Sequence, residues 1–296
     1  MSQLSLLFSA LLLPSAFALP AALAAAPKCA LTFDARFPAS ATGSTVDSGA
    51  LQFNNAYDLG QGQTWANVLK FPTTPASLFD NSSTKAVEVT INDQSIFQGT
   101  QTGFRRSELL PNAPSSSTTG IQTLHLSLQR DDTRPLNYSH EYMLAWLESS
   151  DYSRDQFCIG TGTIFGNGNN VTTAAGAQTL FVRGNNLNAA TQIDVFNTPF
   201  TSGVWHNLAL TLNFNTNTIQ VYYSQGNATL TSKSSAVSND LTGNGQYHVG
   251  ILKKPTGTGL SDITKQGFQE SNINEGIIFG GAYLEDSSSW CVSTGT

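Results

Sequence analysis

Charge is scarce in this sequence: only 11% of its 296 residues are Asp, Glu, Lys or Arg. The 14 Lys and Arg residues are scattered singly or in pairs, and the formal net charge is −6. Nucleic-acid binding needs a basic stripe that contacts phosphates, so we do not expect a nucleic-acid partner. The hydrophobic content of 40% can still bury a large core, which argues against long disorder. A surface rich in Ser, Thr, Asn and Gly is typical of secreted β proteins.

No uninterrupted apolar run is long enough to cross a membrane. Residues 1–26 carry no charged side chain, but Pro14 and Pro20 divide the apolar stretch, and a bilayer helix needs about 20 apolar residues. The stretch ends in small residues, Ala24-Ala25-Ala26, which suit signal peptidase. We therefore predict a signal peptide at 1–26, a mature domain at 27–296, secretion from the cell and no membrane partner.

The chain has only three cysteines, and none of them lies in a cluster with zinc-ligand spacing. Cys29 and Cys291 lie at opposite ends of the mature chain, where one disulfide could fasten the two termini. Cys158 is then the odd cysteine, and pairings that include it stay open. An Asp-x-Asp-x-Asp calcium loop is also lacking, so we expect no metal and no cofactor.

Four Asn-x-Ser/Thr sequons occur in stretches rich in turn residues. In a chain this rich in Asn, some of them arise by chance. Together they are consistent with surface loops that pass through a secretory pathway, and we predict N-glycosylation at Asn81, Asn137, Asn170 and Asn227.

Alternation of apolar and polar residues with a period of two dominates the chain. The clearest case runs over 208–214, passes a turn at Asn215-Thr216-Asn217 and continues over 219–223, which predicts a hairpin with one apolar face. No window of a dozen residues keeps a helical period. The pattern predicts one all-β domain, an antiparallel two-sheet β-jelly-roll sandwich of the concanavalin A-like kind. Further strands are predicted at 87–91, 124–128, 142–147, 179–182, 247–252 and 276–284.

The few charged motifs are the candidates for chemistry. Arg106 and Glu108 would project from one face of a strand, where they could hold a sugar hydroxyl and a reacting oxygen, or form a surface ion pair. Glu141 opens a strand that is apolar on both faces, so partial desolvation would raise the pKa of its carboxylate and suit a general acid; otherwise it is an ion-paired strand end. His248 is either a structural histidine or a cleft residue.

Five segments together resemble the fungal secreted β-glucanases of glycoside hydrolase family 131. They occur in order across almost the whole mature chain: Phe104-Arg105-Arg106-Ser107-Glu108-Leu109, His140-Glu141-Tyr142, Gly203-Val204-Trp205-His206-Asn207, Tyr247-His248-Val249-Gly250-Ile251 and Glu275-Gly276-Ile277-Ile278-Phe279-Gly280-Gly281. The resemblance implies a jelly roll with an open groove, hydrolysis of β-1,3-, β-1,6- and β-1,4-linked glucans, and no metal cofactor.

The resemblance also implies residue roles. It makes Glu108 and Glu141 the two catalytic carboxylates, and we place Arg106, Tyr142 and His248 around the substrate. Glycoside hydrolysis uses one group that protonates the departing oxygen and a second that attacks the sugar or activates water. A neighbouring Arg keeps Glu108 ionised, which suits the base or nucleophile, and Glu141 is then the acid. We expect a monomer whose partner is a β-glucan polysaccharide or oligosaccharide.

Two other functions compete with this interpretation. Arg106-Ser107-Glu108-Leu109 also resembles a strand of the jelly-roll alginate lyases, but a net charge of −6 disfavours a polyanionic substrate. Lys253 and Lys254 keep the lyase alternative open. The second competitor is a non-catalytic carbohydrate-binding lectin, because sandwiches often serve that role and a fold does not fix a function.

Overall fold

The computed structural model describes residues 28–54, 58–165, 176–187 and 192–295. The predicted signal peptide and the sequon at Asn170 lie outside the described residues. None of the helices in the described part of the chain has the length and hydropathy that a membrane crossing requires. The described helical elements are short: α1 (Gly43–Asp47), α2 (Trp65–Val68) and a 3-10 turn at Ser115–Thr118.

The described strands, numbered β1 to β18 along the chain, form two large antiparallel sheets and a small two-stranded one. The first large sheet has nine strands: β1 (Leu31–Asp34), β4 (Leu69–Lys70), β6 (Val87–Asn92), β8 (Ile121–Arg130), β13 (His206–Asn213), β14 (Thr218–Gln225), β15 (Thr231–Ser232), β16 (Val237–Ser238) and β18 (Asn274–Asp286).

The second large sheet has seven strands and carries the site described below. Its spatial order is β12-β11-β10-β9-β17-β7-β3. The strands are β3 (Phe53–Asn54), β7 (Arg105–Pro111), β9 (Glu141–Glu148), β10 (Asp155–Gly162), β11 (Thr179–Arg183), β12 (Asp194–Pro199) and β17 (Gln246–Lys253). The two-stranded sheet pairs β2 (Phe37–Pro38) with β5 (Thr84–Lys85).

The predicted sandwich is confirmed. β13 and β14 form the expected hairpin, with Leu208 opposite Tyr223 and Leu212 opposite Ile219. The other predicted strands each lie within an observed strand. The core lies between the two large sheets, because Leu126 and Leu210 of one sheet belong to the same buried cluster as Ile251 of the other.

The disulfide between Cys29 and Cys291 is also confirmed, with a Cα–Cα distance of 5.8 Å across a sequence separation of 262 residues. Cys158 is a buried free thiol on β10. Since β1 pairs with the end of β18, the disulfide fastens both chain ends to one edge of the nine-stranded sheet.

A β-bulge in the middle of β9 decides which of its side chains face the core. The register of β9 against both β10 and β17 shifts between Met143 and Ala145. Leu144 and Ala145 consequently both belong to the core, whereas Met143 and Trp146 pack together on the opposite, outer face of the sheet. The bulge therefore reverses the alternation in the second half of the strand.

Candidate active site

A cavity of about 530 Å³ opens on the outer face of the seven-stranded sheet, where β9, β17 and β7 lie side by side. Strand residues form its floor, and three loops contribute the remaining walls. Its polar lining includes three ionisable groups at strand positions, a buried carboxylate and an exposed phenol on loops, and an amide at the start of a strand. These residues are Arg106, Glu148, His248, Asp58, Tyr152 and Gln246.

Arg106 and Glu108 form a buried bidentate ion pair on β7. Arg106 Nε donates to Glu108 Oε1 at 2.6 Å, and Nη2 donates to Oε2 at 2.6 Å. Burial alone would raise the pKa of Glu108, but the charges and hydrogen bonds of Arg106 and His248 outweigh it and hold that pKa below its usual range. Glu108 is therefore ionised, and its side chain is fully buried beneath the cavity.

His248 lies between two glutamates. Its Nδ1 is 2.9 Å from Glu108 Oε2, and its Nε2 is 3.4 Å from Glu148 Oε2. Burial would lower the pKa of the imidazole, but the hydrogen bonds and charges of these carboxylates outweigh it and raise the pKa to about 9. His248 thus carries a proton on each nitrogen at neutral pH. Its ring stacks on Trp146 with centroids 4.5 Å apart, and within the described residues Nε2 has no well-aligned hydrogen-bond acceptor.

Asp58 is a third carboxylate at this cluster. Its Oδ1 lies 3.1 Å from Arg106 Nη2, and its Oδ2 lies 3.7 Å from His248 Nδ1. Burial, followed by the negative charge of Glu108, raises the pKa of Asp58 to about 6. The backbone also ties this loop to β7, because the Glu108 N–H donates to the Asp58 carbonyl at 2.9 Å.

Glu148 is the carboxylate most open to the cavity. It is the last residue of β9, opposite Gln246 of β17, and its side chain is 27% exposed, whereas that of Glu108 is fully buried. Its ion-pair partner among the described residues is His248. A bound molecule can reach its oxygens without first displacing an arginine.

We tested whether the cluster suits a metal ion. Asp58, Glu108 and His248 are the one such group in the described ranges, with ligand atoms within 4.8 Å of one another. Arg106 Nη2, however, already contacts both carboxylates, at 3.1 Å and 2.6 Å. A guanidinium at this position supplies the compensating positive charge and repels a cation. The residues present therefore fit a charge-paired cluster rather than a metal site.

The structure brings three of the sequence-predicted residues together and leaves two apart. Arg106, Glu108 and His248 form the cluster described above. Glu141 lies at the other end of β9, where Lys254 Nζ donates to its Oε1 at 2.8 Å and the Phe165 N–H donates to its Oε2 at 2.6 Å. Along the strand direction, Glu141 and Glu108 are four residues apart. At about 3.3 Å per residue, this is a separation of about 13 Å. The two carboxylates do not share a cavity, so the geometry does not support them as a pair.

Tyr142 faces the core rather than the cavity. Its side chain is fully buried, and its hydroxyl donates to Glu275 Oε2 at 2.8 Å and accepts from the Asn137 N–H at 3.0 Å. Burial raises the pKa of this phenol far above its usual value. Because the ring lies in the interior, it makes no direct contact with a substrate in the cavity.

Sequence reasoning missed Glu148 and Asp58. Alternation counted from Glu141 places Glu148 on the opposite face, and the bulge in β9 restores it to the same face. The available signal was composition, because a second Glu at the far end of an apolar strand is unusual in a chain this poor in charge. Asp58 lies in a loop, where no periodicity points to a site.

Comparisons with known proteins identify the family of this chain. A family model described as the glycoside hydrolase 131 catalytic N-terminal domain matches residues 31–289. The chain belongs to glycoside hydrolase family 131. As a member of this family, it is a glycoside hydrolase. A search of curated proteins gave no significant match.

Two solved catalytic domains from the same family share the fold of this glycoside hydrolase. A family 131 β-glucanase domain from Podospora anserina superposes with a TM-score of 0.68 at 19% identity, covering 89% of this chain and 98% of that one. A family 131 domain from Coprinopsis cinerea gives 0.66 at 18% identity, covering 90% of this chain and 97% of that one. These likenesses bear out the predicted jelly roll.

Proposed function

We propose that this glycoside hydrolase is a secreted β-glucanase that cleaves β-1,3-, β-1,6- and β-1,4-glucosidic bonds, with Glu148 and Glu108 as its two functional carboxylates. One observation carries the residue assignment: the chain of contacts from Glu108 through His248 to Glu148 at the wall of the 530 Å³ cavity. The glucan substrate is supported by the Podospora anserina domain, which is itself named a β-glucanase.

Glu148 is the carboxylate that exchanges a proton with the substrate. Its side chain is the exposed member of the pair, and the imidazolium of His248 lies 3.4 Å from it. A proton-carrying group must come within hydrogen-bond reach of the reacting oxygen, which Glu148 can do from the cavity wall.

Glu108 is the second carboxylate, and it acts from beneath the cavity as a positioning residue. It is nearer to His248 Nδ1 than Asp58 is, at 2.9 Å against 3.7 Å. Its negative charge keeps His248 protonated and fixes the guanidinium of Arg106. Nε2–H of His248 is then held facing Glu148, the carboxylate that reaches the bound sugar.

The cavity rim suits a neutral sugar. Gln98, Gln101 and Gln246 supply amides that can donate to and accept from hydroxyl groups. Tyr152 is 76% exposed and offers an aromatic ring to the apolar face of a pyranose. The cluster beneath holds two cations, Arg106 and His248, against three carboxylates, which gives no excess positive charge for a polyanion.

The experiment that tests the assignment is a set of isosteric amide variants assayed on laminarin and barley β-glucan. We expect Glu148→Gln to lower kcat by a factor of about 10² or more, the usual scale for acid–base groups, with little change in melting temperature. Glu108→Gln should lower kcat as well, and because it removes one partner of a buried ion pair it should also lower the melting temperature. Glu141→Gln is the matched variant at the opposite end of β9, and we expect a loss of less than about tenfold. A loss in Asp58→Asn as large as that in Glu148→Gln, with Glu108→Gln near wild type, would transfer the second role to Asp58.

The product distinguishes the competing activities. A hydrolase releases reducing sugar from neutral glucan, a lyase produces an unsaturated, ultraviolet-absorbing product from alginate, and a lectin produces neither. Secretion and glycosylation are tested on the same protein by peptide mapping of the culture supernatant. We expect a mature chain that starts near Pro27 and a glycan on at least one sequon. Among the described sequons, Asn137 and Asn227 are at exposed positions.

A further inference from the structure

Asp155 lies beside Glu148, the carboxylate most open to the active-site cavity. It is the first residue of β10, and it pairs directly with Glu148 at the end of β9. The register shifts between Asp155 and Phe157, which places a bulge at Gln156. Counted by alternation from Cys158, which lies on the outer face, Asp155 would face the core. The bulge turns it to the outer face instead, where it lines a second cavity together with Cys158.

Glu148 and Asp155 are close enough for each charge to affect the other. Side chains directly opposite each other on one face of an antiparallel pair have Cβ atoms about 4.5 to 5.5 Å apart. Two carboxylates at this distance resist simultaneous ionisation, because like charges repel. Groups that interact this strongly take up and release protons as a pair. We therefore expect the two residues to hold one proton between them at a pH where an isolated carboxylate has lost its own.

Asn186 holds Asp155 in place and favours its negative charge. The Asp155 N–H donates to Asn186 Oδ1 at 2.7 Å, and Asn186 Nδ2 donates to Asp155 Oδ2 at 2.6 Å. Burial is the main influence on the Asp155 carboxyl group and raises its pKa; the positive charge of Lys254 opposes that rise, and the negative charge of Glu148 adds to it. The result is a pKa of about 6. A hydrogen-bond donor on Asp155 stabilises its ionised form, so the shared proton is left to Glu148.

Most charged groups that face the pair already have partners of opposite charge. These ion pairs, contributed by the neighbouring strands and loops, are Lys254 with Glu141 at 2.8 Å, Arg183 with Asp194 at 2.6 Å, and Arg106 with Asp58 at 3.1 Å. The Cys158 thiol is neutral, because burial raises its pKa well above its usual value. The exception is His248, whose protonated Nε2 lies 3.4 Å from Glu148 Oε2. An imidazolium at this distance favours the ionised form of Glu148.

A proton donor beside a single cation needs a nearby negative charge. Glycoside hydrolysis requires a group that protonates the departing oxygen, and an ionised carboxylate has no proton to give. His248 acts on Glu148 from β17, whereas Asp155 acts from β10 on the opposite side of β9. The negative charge of Asp155 therefore opposes the effect of the imidazolium.

We propose that Asp155 is a positioning residue that keeps on Glu148 the proton that Glu148 donates to the departing sugar oxygen. Asp155 acts through Glu148 rather than on the sugar. When the glycosidic bond breaks, the proton passes to the departing oxygen, Glu148 is left ionised beside His248, and a proton from solvent restores it. The inference rests on the proposed glucanase function.

The first test is the pH dependence of kcat/KM on laminarin. The alkaline limb of this profile reports the ionisation of the proton donor in the free enzyme. We expect Asp155→Asn to move that limb to lower pH by about one unit, so that kcat/KM falls about tenfold more above the limb than below it. Asp155→Glu keeps the charge and should return the limb toward its wild-type position. The exposed Asp286→Asn, on the nine-stranded sheet, is the matched control and should leave the limb unchanged.

Carbon-13 NMR titration of the carboxyl groups provides a second readout that does not depend on activity. In Glu148→Gln the neighbouring negative charge is gone, so the pKa of Asp155 should fall below about 6. An unchanged Asp155 titration in Glu148→Gln would overturn the proposal. So would an Asp155→Asn enzyme that loses the same fraction of kcat/KM at every pH, because that result indicates a purely structural role.

These outcomes separate the proposal from the glucanase function. If the wild-type enzyme releases no reducing sugar from any glucan, the glucanase function fails, and the titration alone decides whether Asp155 and Glu148 are coupled. If the enzyme is active but Asp155→Asn leaves the alkaline limb in place, the function stands and the role of Asp155 is wrong.

Discussion

At the residue scale, the chemistry of the site depends on how His248 keeps its proton. The imidazole is buried and stacked on Trp146, which alone would favour the neutral form. The carboxylates of Glu108, Glu148 and Asp58 surround it and reverse that preference, raising the pKa from 6.5 to about 9. A protonated His248 in turn strengthens the ionised form of Glu108, so the two groups stabilise each other's charge.

This mutual stabilisation predicts a pH-dependent contribution to stability. Because the folded-state pKa of His248 is raised above its unfolded value, its contribution is fully present below about pH 6.5 and is lost as the pH rises through about 9. A shift of this size corresponds to an unfolding free energy on the order of 3 kcal/mol. We expect the difference in unfolding free energy between wild type and His248→Gln to shrink between pH 6 and pH 10.

Urea unfolding at a series of pH values measures that difference, and NMR titration of the imidazole gives the pKa directly. In Glu108→Gln the largest contribution of a neighbouring carboxylate to the upward shift is gone, so the pKa of His248 should fall. A constant difference across the pH range would show that His248 is not protonated in the folded enzyme.

At the scale of elements, the bulge in β9 explains both the success and the failure of sequence reasoning. The strand at 142–147 was predicted correctly from its apolar run, and the companion strand at 247–252 from its alternation. A bulge inserts one residue without a distinctive sequence, since Met143, Leu144 and Ala145 are all apolar. The strand was predictable, but the face on which its final Glu148 lies was not.

The approach of β7 to β17 is a second property of the elements on which the site depends. Gly250 lies opposite Glu108, and a Cβ built there would be 2.3 Å from the Ser107 carbonyl oxygen and 2.7 Å from the Glu108 Cα. Both are backbone atoms, so the strands must separate to accept a side chain. We expect Gly250→Ala to cost roughly 1 to 3 kcal/mol in unfolding free energy, the usual cost of overpacking.

The same substitution should also reduce glucan hydrolysis, because moving β7 draws Glu108 away from His248. Thermal unfolding and kcat on laminarin, measured on one preparation, check both effects. Wild-type stability together with wild-type kcat would show that the close approach of the two strands is not required.

At the scale of the whole molecule, the fold and the disulfide were predictable for reasons that the site did not share. Alternation across many strands predicted the sandwich, because one strand after another places apolar residues on its inner face and polar residues on its outer face. The positions of Cys29 and Cys291 at the two ends of the mature chain favoured their pairing. The active-site cavity instead assembles side chains from four strands and three loops, and Asp58 joins it only through the folded path of the chain.

The Cys29–Cys291 disulfide closes nearly the whole domain into one loop, so its main effect should be on stability. Closing a long loop removes conformational freedom from the unfolded chain, and loss of a native disulfide costs about 2 to 5 kcal/mol. The disulfide lies beside β1 and β18 of the nine-stranded sheet, whereas the active-site cavity opens on the outer face of the other sheet. We therefore expect a Cys29→Ser, Cys291→Ser double variant to melt at a clearly lower temperature. At temperatures well below its melting transition, the variant should keep the wild-type kcat.

Thiol titration provides the control, because the buried Cys158 should react in wild type only after unfolding. If the double variant melts at the same temperature as the wild type, the pairing of β1 with β18 alone holds the ends of the domain. If the double variant loses activity while it is folded, the two sheets are coupled more tightly than their separate faces indicate.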